Sequence, residues 1–210
     1  TWSLSCACRC RPPRLSDWAM QAPRLIASDL ACRRGDRVLF AGLELDLRPG
    51  DALHLAGPNG VGKTSLLRLL AGLMRPFAGS VEREGAVGWI DEHSALDSDL
   101  PLGTALRFWE RVDGCTAPAI NPQLLGIDHL LDVPVRYLST GQRKRAAFVR
   151  LLNRHCPIWL LDEPLNGLDS DGAAKIEALI ALHCGGGGLC VVASHQPIGI
   201  DRVTRMELGA

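Results

Sequence analysis

The stretch "DALHLAGPNGVGKTSLLRLLAGLM", Asp51 to Met74, decides the fold. "DALHLAG" reads as a short apolar strand, "GPNGVGKT" (Gly57–Thr64) as a glycine-rich turn, and "SLLRLLAGLM" as a helix with apolar residues at i, i+3 and i+4. The turn fits G-x4-G-K-[ST], and the strand before and helix after supply the context that pattern needs. Its glycines let the backbone wrap a diphosphate so that several N–H groups point inward. Lys63 is then placed to neutralise β and γ phosphates, and Thr64 to offer its hydroxyl to Mg²⁺. The expected cradle is Gly57, Pro58, Asn59, Gly60, Val61, Gly62, Lys63, Thr64 and Ser65. The bland alternative is a glycine-rich βα turn with an incidental lysine. By average residue usage the bare pattern arises by chance in about one chain of this length in a hundred.

Outward from the turn, "IWLLDEP" (Ile158–Pro164) is an apolar strand ending in two acids. Alone, such acids are ordinary solvated strand ends. Beside a phosphate-binding loop, Asp162 is a candidate to hold magnesium and Glu163 to polarise a water attacking the γ-phosphate. "SH" at Ser194-His195 closes another apolar strand. His195 is either a hydrogen-bonded structural residue or, from the same sheet, a group within reach of the γ-phosphate. "LSTGQRKRAAFVRLL" (Leu138–Leu152) puts a polar run and basic residues at a helix start. Ser139 would serve as an ordinary N-cap there, or the exposed N–H groups and helix dipole would receive an anion.

The surrounding chain reads as α/β. "RLIASDLAC" and "RVLFAGLELDL" are strands separated by the turn "RRGD", "GSVEREGAVGWI" is a further strand or hairpin, and "LCVVASH" is a buried strand. "PLGTALRFWERV", "PQLLGIDHLL" and "DGAAKIEALIALH" read as helices, with "GGGG" a flexible loop after the last of them. Strands alternating with helices after a mixed β start predict a mostly parallel sheet. Residues 1–19, rich in Arg, Cys, Pro and Ser, read as a disordered tail outside the regular pattern.

Composition bounds the function. The 210 residues hold 23 Lys plus Arg and 23 Asp plus Glu, so a zero formal net charge gives no global case for nucleic-acid binding. No apolar stretch approaches the roughly 18–20 residues of a membrane span. Of the eight cysteines, several lie inside apolar runs, and Cys6, Cys8 and Cys10 lack C-x2-C spacing. That favours reduced thiols in a cytosolic setting over a disulfide or zinc framework.

In order along the chain, Gly57–Thr64, "LSTGQ", "LLDEP", "LNGLD" and "SH" resemble the nucleotide-binding domain of ABC ATPases over about residues 24–208. The resemblance implies a P-loop core with an N-terminal antiparallel β subdomain (20–92 and 139–210) and a small helical subdomain (93–138). It implies ATP and Mg²⁺ as cofactors and a head-to-tail homodimer. Ser139, Thr140, Gly141 and Gln142 would contact the γ-phosphate held by the other subunit, and Asp169 would bridge the two sites. Within the family, "DVPVRYLSTGQRKRAAFVRLL" and "SHQPI" are most similar to the subunit of the bacterial haem-export and cytochrome c maturation complex. That implies permease partners of the CcmB/CcmC type and a peripheral place on the cytoplasmic face of the inner membrane. A soluble non-transport ABC ATPase, or an exporter ATPase for another substrate, is the alternative. Two departures stand out. Arg33 and Arg34 occupy the neighbourhood where many members place an aromatic on adenine, and a guanidinium can also stack on a base. His93 falls where the family has a magnesium-contacting glutamine.

Overall fold

The fold is described by a computed structural model over residues 22–92, 95–114 and 122–209. The expected tail, His93 and Cys115 lie outside the described residues. In chain order the strands and helices are β1 (Arg24–Arg34), β2 (Arg37–Leu47), β3 (Ala52–Ala56), α1 (Lys63–Ala71), β4 (Ala78–Glu84), β5 (Val87–Ile90), α2 (Leu102–Val112), α3 (Thr140–Asn153), β6 (Ile158–Asp162), α4 (Ser170–Gly185), β7 (Leu189–Ala193) and β8 (Val203–Glu207). They form an antiparallel sheet of order β2-β1-β4 and a parallel sheet of order β5-β6-β7-β3-β8.

Every residue of β3, β6 and β7 is buried, as a parallel sheet covered on both faces requires. The side-chain period of two sorts them into two cores. Ile158 and Leu160, with Leu189 and Val191, pack with Leu66, Leu67 and Leu70 of α1 and with Leu25 and Leu30 of the antiparallel sheet. Trp159 and Leu161, with Cys190 and Val192, pack with Phe148, Leu151, Ile176, Ile180 and Leu102 from the other helices. Each apolar strand is therefore sandwiched, and its carboxyl end is free to carry polar groups.

Several local expectations change. The turn between β1 and β2 shrinks to Gly35-Asp36, because Arg34 and Arg37 already pair across the strands. "GSVEREGAVGWI" is two strands but not a hairpin: β4 pairs with β1, and β5 crosses to pair with β6. The expected helix over "PQLLGIDHLL" is two single 3₁₀ turns, Pro122–Leu125 and Asp128–Leu130, separated at Gly126 with φ 64°. α1 stops at Ala71 rather than running through Met74, because Gly72 takes a left-handed cap at φ 76°. "GGGG" is no free loop: Gly185 closes α4, and Gly188 accepts from Gly50 N–H at 2.7 Å and donates to the His183 carbonyl at 3.0 Å. β8 is an element the sequence reading did not name. The described cysteines Cys32, Cys156, Cys184 and Cys190 are buried free thiols, as expected.

Candidate nucleotide site

β3 delivers the glycine-rich turn to the carboxyl end of the parallel sheet, and α1 leaves it. The loop's shape depends on two glycines in particular. Gly57 has φ 138°, and a Cβ there would lie 2.8 Å from the Leu208 carbonyl oxygen. Gly62, the N-cap of α1, has φ 114° and sits against Leu39, which a Cβ would reach at 3.3 Å. Lys63 is buried, and its ammonium donates to the carbonyls of Gly57 at 2.6 Å and Pro58 at 3.3 Å. The side chain thus folds back over the loop and lines a concave cavity of about 470 Å³.

The cavity brings together Pro58, Asn59, Gly60, Gly62, Lys63, Thr64 and Ser65 from the loop with Asp162, Glu163 and His195 from neighbouring strand ends. Gly57 and Val61 do not line it. Val61 turns its side chain toward Gly57, and Gly57 backs onto Leu208. Asp162 ends β6, is 4% exposed, and takes a hydrogen bond from Thr64. Burial raises its pKa above the usual carboxylate value against the effect of that hydroxyl, and Glu163, Glu92 and Asp91 raise it further. A buried carboxylate that is costly to charge, held beside a hydroxyl, is an oxygen donor pair suited to a hard cation. No cluster of three or more His, Cys, Asp or Glu among the described residues forms a metal cage. The Thr64 hydroxyl and the Asp162 carboxylate are oxygen donors that would fit magnesium completed by phosphate and water.

Glu163 takes a left-handed backbone, φ 47°, with its N–H donating to the Ala193 carbonyl at 2.8 Å. A non-glycine residue held there by its neighbours marks a constrained site. Its carboxylate Oε2 is 3.1 Å from His195 Nδ1. His195 follows Ser194, whose carbonyl oxygen lies 3.2 Å from buried His54 Nε2 and whose hydroxyl accepts from Gln196 N–H at 3.0 Å. β3 and β7 thereby fix the histidine against the glutamate.

The Ser139–Gln142 segment is not part of this cavity. Ser139 caps α3 with a complete capping box: its hydroxyl accepts from Gln142 N–H at 3.2 Å, and Gln142 Oε1 accepts from Ser139 N–H at 2.8 Å. Gly141 lies against the backbone of Gly167, where any Cβ would overlap the carbonyl oxygen. Asp169 caps α4, accepting from Gly172 N–H at 2.9 Å. Of the two arginines, Arg34 lines the cavity together with Leu39, whereas Arg33 lies over the Phe77 ring at 4.6 Å.

Sequence reasoning missed Asp91, Glu92, Arg68 and Asn166 at the cavity wall. The signal was present for two of them. "WIDE" at the end of β5 repeats the form of "LLDE" at the end of β6, and the strands pair with Ile90 beside Leu161.

Residues 40–166 match the family model described as ABC transporter. The chain is 56% identical over 90% of its length to the cytochrome c biogenesis ATP-binding export protein CcmA of Novosphingobium aromaticivorans, covering 97% of that protein. It is 50% identical over 88% of its length to the CcmA of Sphingopyxis alaskensis, again covering 97%. Its fold is similar to a solved ATP-binding subunit of an ABC transporter, with TM-score 0.78 at 21% identity, over 88% of this chain and 85% of that one.

Proposed function

From the premise that this chain belongs to the ABC transporter family, we propose that it is the ATP-hydrolysing subunit of an exporter serving cytochrome c biogenesis, with haem as the exported group. The convergence of Asp162, Glu163 and His195 with Lys63 on one cavity carries this reading. Lys63, now bonded to loop carbonyls, turns its ammonium to the β and γ phosphates when ATP enters. Inward N–H groups of the loop take the phosphate oxygens. Thr64 and Asp162 would hold magnesium, which would screen the phosphate charge. Glu163 accepts a hydrogen bond from the attacking water and orients it toward the γ-phosphoryl group. His195 meets Glu163 through Nδ1, and its other ring nitrogen faces the γ-phosphate, to which it donates when it carries a proton. Arg34 and Leu39 flank the base.

The site is half of a shared one. Ser139, Thr140, Gly141 and Gln142 face the ATP of a second copy in a head-to-tail homodimer, with Asp169 between the two sites. That they stand outside their own chain's cavity supports this pairing. On this reading the catalytic core is 20–92 and 139–210 and the helical subdomain 93–138. No helix of the described residues is long and apolar enough to cross a membrane. Attachment to the cytoplasmic face of the inner membrane is, on this reading, through permease subunits of the CcmB/CcmC type.

Glu163→Gln tests the reading. It should leave ATP binding intact and lower steady-state hydrolysis by about 10²- to 10⁴-fold, the usual contribution of a positioned base. Hydrolysis at the parental rate would remove Glu163 from the mechanism.

A further inference from the structure

The carboxyl end of the parallel sheet gathers four carboxylates. Asp91-Glu92 after β5 and Asp162-Glu163 at the end of β6 leave adjacent paired strands at the same end, and all four line the nucleotide cavity. Asp91 and Glu92 are also a wall of a second cavity, of about 350 Å³, which α3 lines through Thr140, Arg143 and Lys144. Lys144 lies little more than one turn into α3 and is 6% exposed. Its Nζ donates to the Asp91 carbonyl at 3.3 Å. Burial lowers its pKa below the usual lysine value, and the charges of Glu92, Asp162, Asp91 and Glu163 oppose that shift. Lys63 and Lys144 are the buried lysines among the described residues, and Lys63 is bonded to the P-loop. Burying an ammonium is costly, and a methionine of the same reach would fill the space at no such cost. A charge kept in that position therefore calls for a use beyond packing.

We propose that Lys144 is a positioning residue for hydrolysis. It is a fixed counter-charge that holds the Asp91-Glu92 segment by its carbonyl and offsets the repulsion among the four carboxylates. Asp162 and Glu163 then keep their places for metal and water. It also ties these groups to the helix that begins at Ser139, so a displacement of α3 moves the ammonium relative to the carboxylates. Lys144 itself does not line the nucleotide cavity. The inference rests on the ATPase reading above.

The test uses the purified full chain, titrated with ATP and with magnesium, and Lys144→Met, Lys144→Arg and Glu92→Gln variants. Lys144→Met should lower kcat about 10- to 100-fold, as loss of a residue supporting a metal site does. KM for ATP should stay within about threefold, because ground-state binding is not the target. The magnesium needed for half-maximal rate should rise. The melting temperature should fall, because the carboxylates lose their buried counter-charge, and Lys144→Arg should bring most of it back. Lys144→Arg should regain at least about a third of the parental rate. Adding Glu92→Gln to Lys144→Met should restore part of the loss, because one repelling charge is removed. A Lys144→Met rate within about twofold of the parent overturns the inference. So does a rate loss that follows a fall in melting temperature and is not relieved by arginine. If the parent turns over ATP and Glu163→Gln does not, such a failure touches Lys144 alone. A parent without ATP turnover overturns both.

Discussion

Gly141→Ala should destabilise the nucleotide-free chain, although alanine is the better helix former. Gly141 sits in the first turn of α3, where the exchange gains at most about 1 kcal/mol of helix propensity. Against that, the added methyl would overlap the Gly167 carbonyl oxygen and lie 3.3 Å from its carbon and 3.5 Å from Leu168 Cδ2. The opposing atom is backbone and has little freedom to withdraw. Asn166 N–H donates to the Glu163 carbonyl at 3.3 Å, Leu168 N–H to the Leu165 carbonyl at 3.2 Å, and Asp169 is locked as the α4 cap. Overpacking of this kind costs about 1–3 kcal/mol, and the upper half of that range applies where backbone must move. The net loss is about 1–2 kcal/mol, which lowers Tm by about 3–6 °C in a chain of this size. Thermal unfolding of dilute, nucleotide-free protein reads this directly, without any second subunit or ATP. Gly185→Ala is the control. A Cβ at Gly185 meets nothing within 4 Å, so propensity alone acts and Tm should hold or rise slightly. If Gly141→Ala matched or exceeded the parent Tm, the contact between the α3 start and the Gly167 turn would be wrong.

His183 gives a pH dependence of stability. Burial pulls its pKa from 6.5 down to about 4 against hydrogen bonds to the Leu189 and Pro157 carbonyls, and its ring stacks on Trp159 at 3.8 Å. The folded chain holds the neutral ring and the unfolded chain protonates first, so this stabilisation is complete above pH 6.5 and is lost as pH falls toward 4. It amounts to up to about 3 kcal/mol, and His183→Phe, which keeps a flat ring on Trp159, should flatten the Tm profile across that window. Lys63→Ala should weaken ATP binding at least about tenfold, measured by nucleotide titration, because the charge that meets the phosphates is gone. Ser139→Gly removes the hydroxyl but keeps a cap within a few tenths of a kcal/mol. Mixing Lys63→Ala with Ser139→Gly chains should give hydrolysis above either alone, and a mixture no better than its components would count against the head-to-tail pairing.

Much of the site was legible because its parts are local. The P-loop, the Ser139 cap and the strand-end acids are each specified by neighbours in sequence. A glycine-rich turn between an apolar strand and an apolar helix has few other uses. Where the reading slipped, a single residue overrode the pattern. Gly126 broke a helix that apolar spacing suggested, and Gly72 ended another early. The placement of "GSVERE" and "VGWI" in different sheets was not legible, because strand partners are chosen by burial across the whole chain.

The sequence by itself determined the glycine-rich loop Gly57–Thr64 between a strand and a helix, the acids Asp162 and Glu163 at the end of a buried strand, and the apolar runs that require a covered parallel sheet. These follow from short-range chemistry: glycine's backbone freedom, helix capping and the period of two. Only the tertiary structure decided which distant groups meet. It set His195 against Glu163, chose Arg34 over Arg33 for the cavity, pressed Gly141 onto the turn at Gly167, and brought Lys144 beneath Asp91. Those pairings depend on the order in which β5, β6, β7 and β3 lie side by side. Strand order is settled by how two cores close over both faces of one sheet, and no local pattern encodes it.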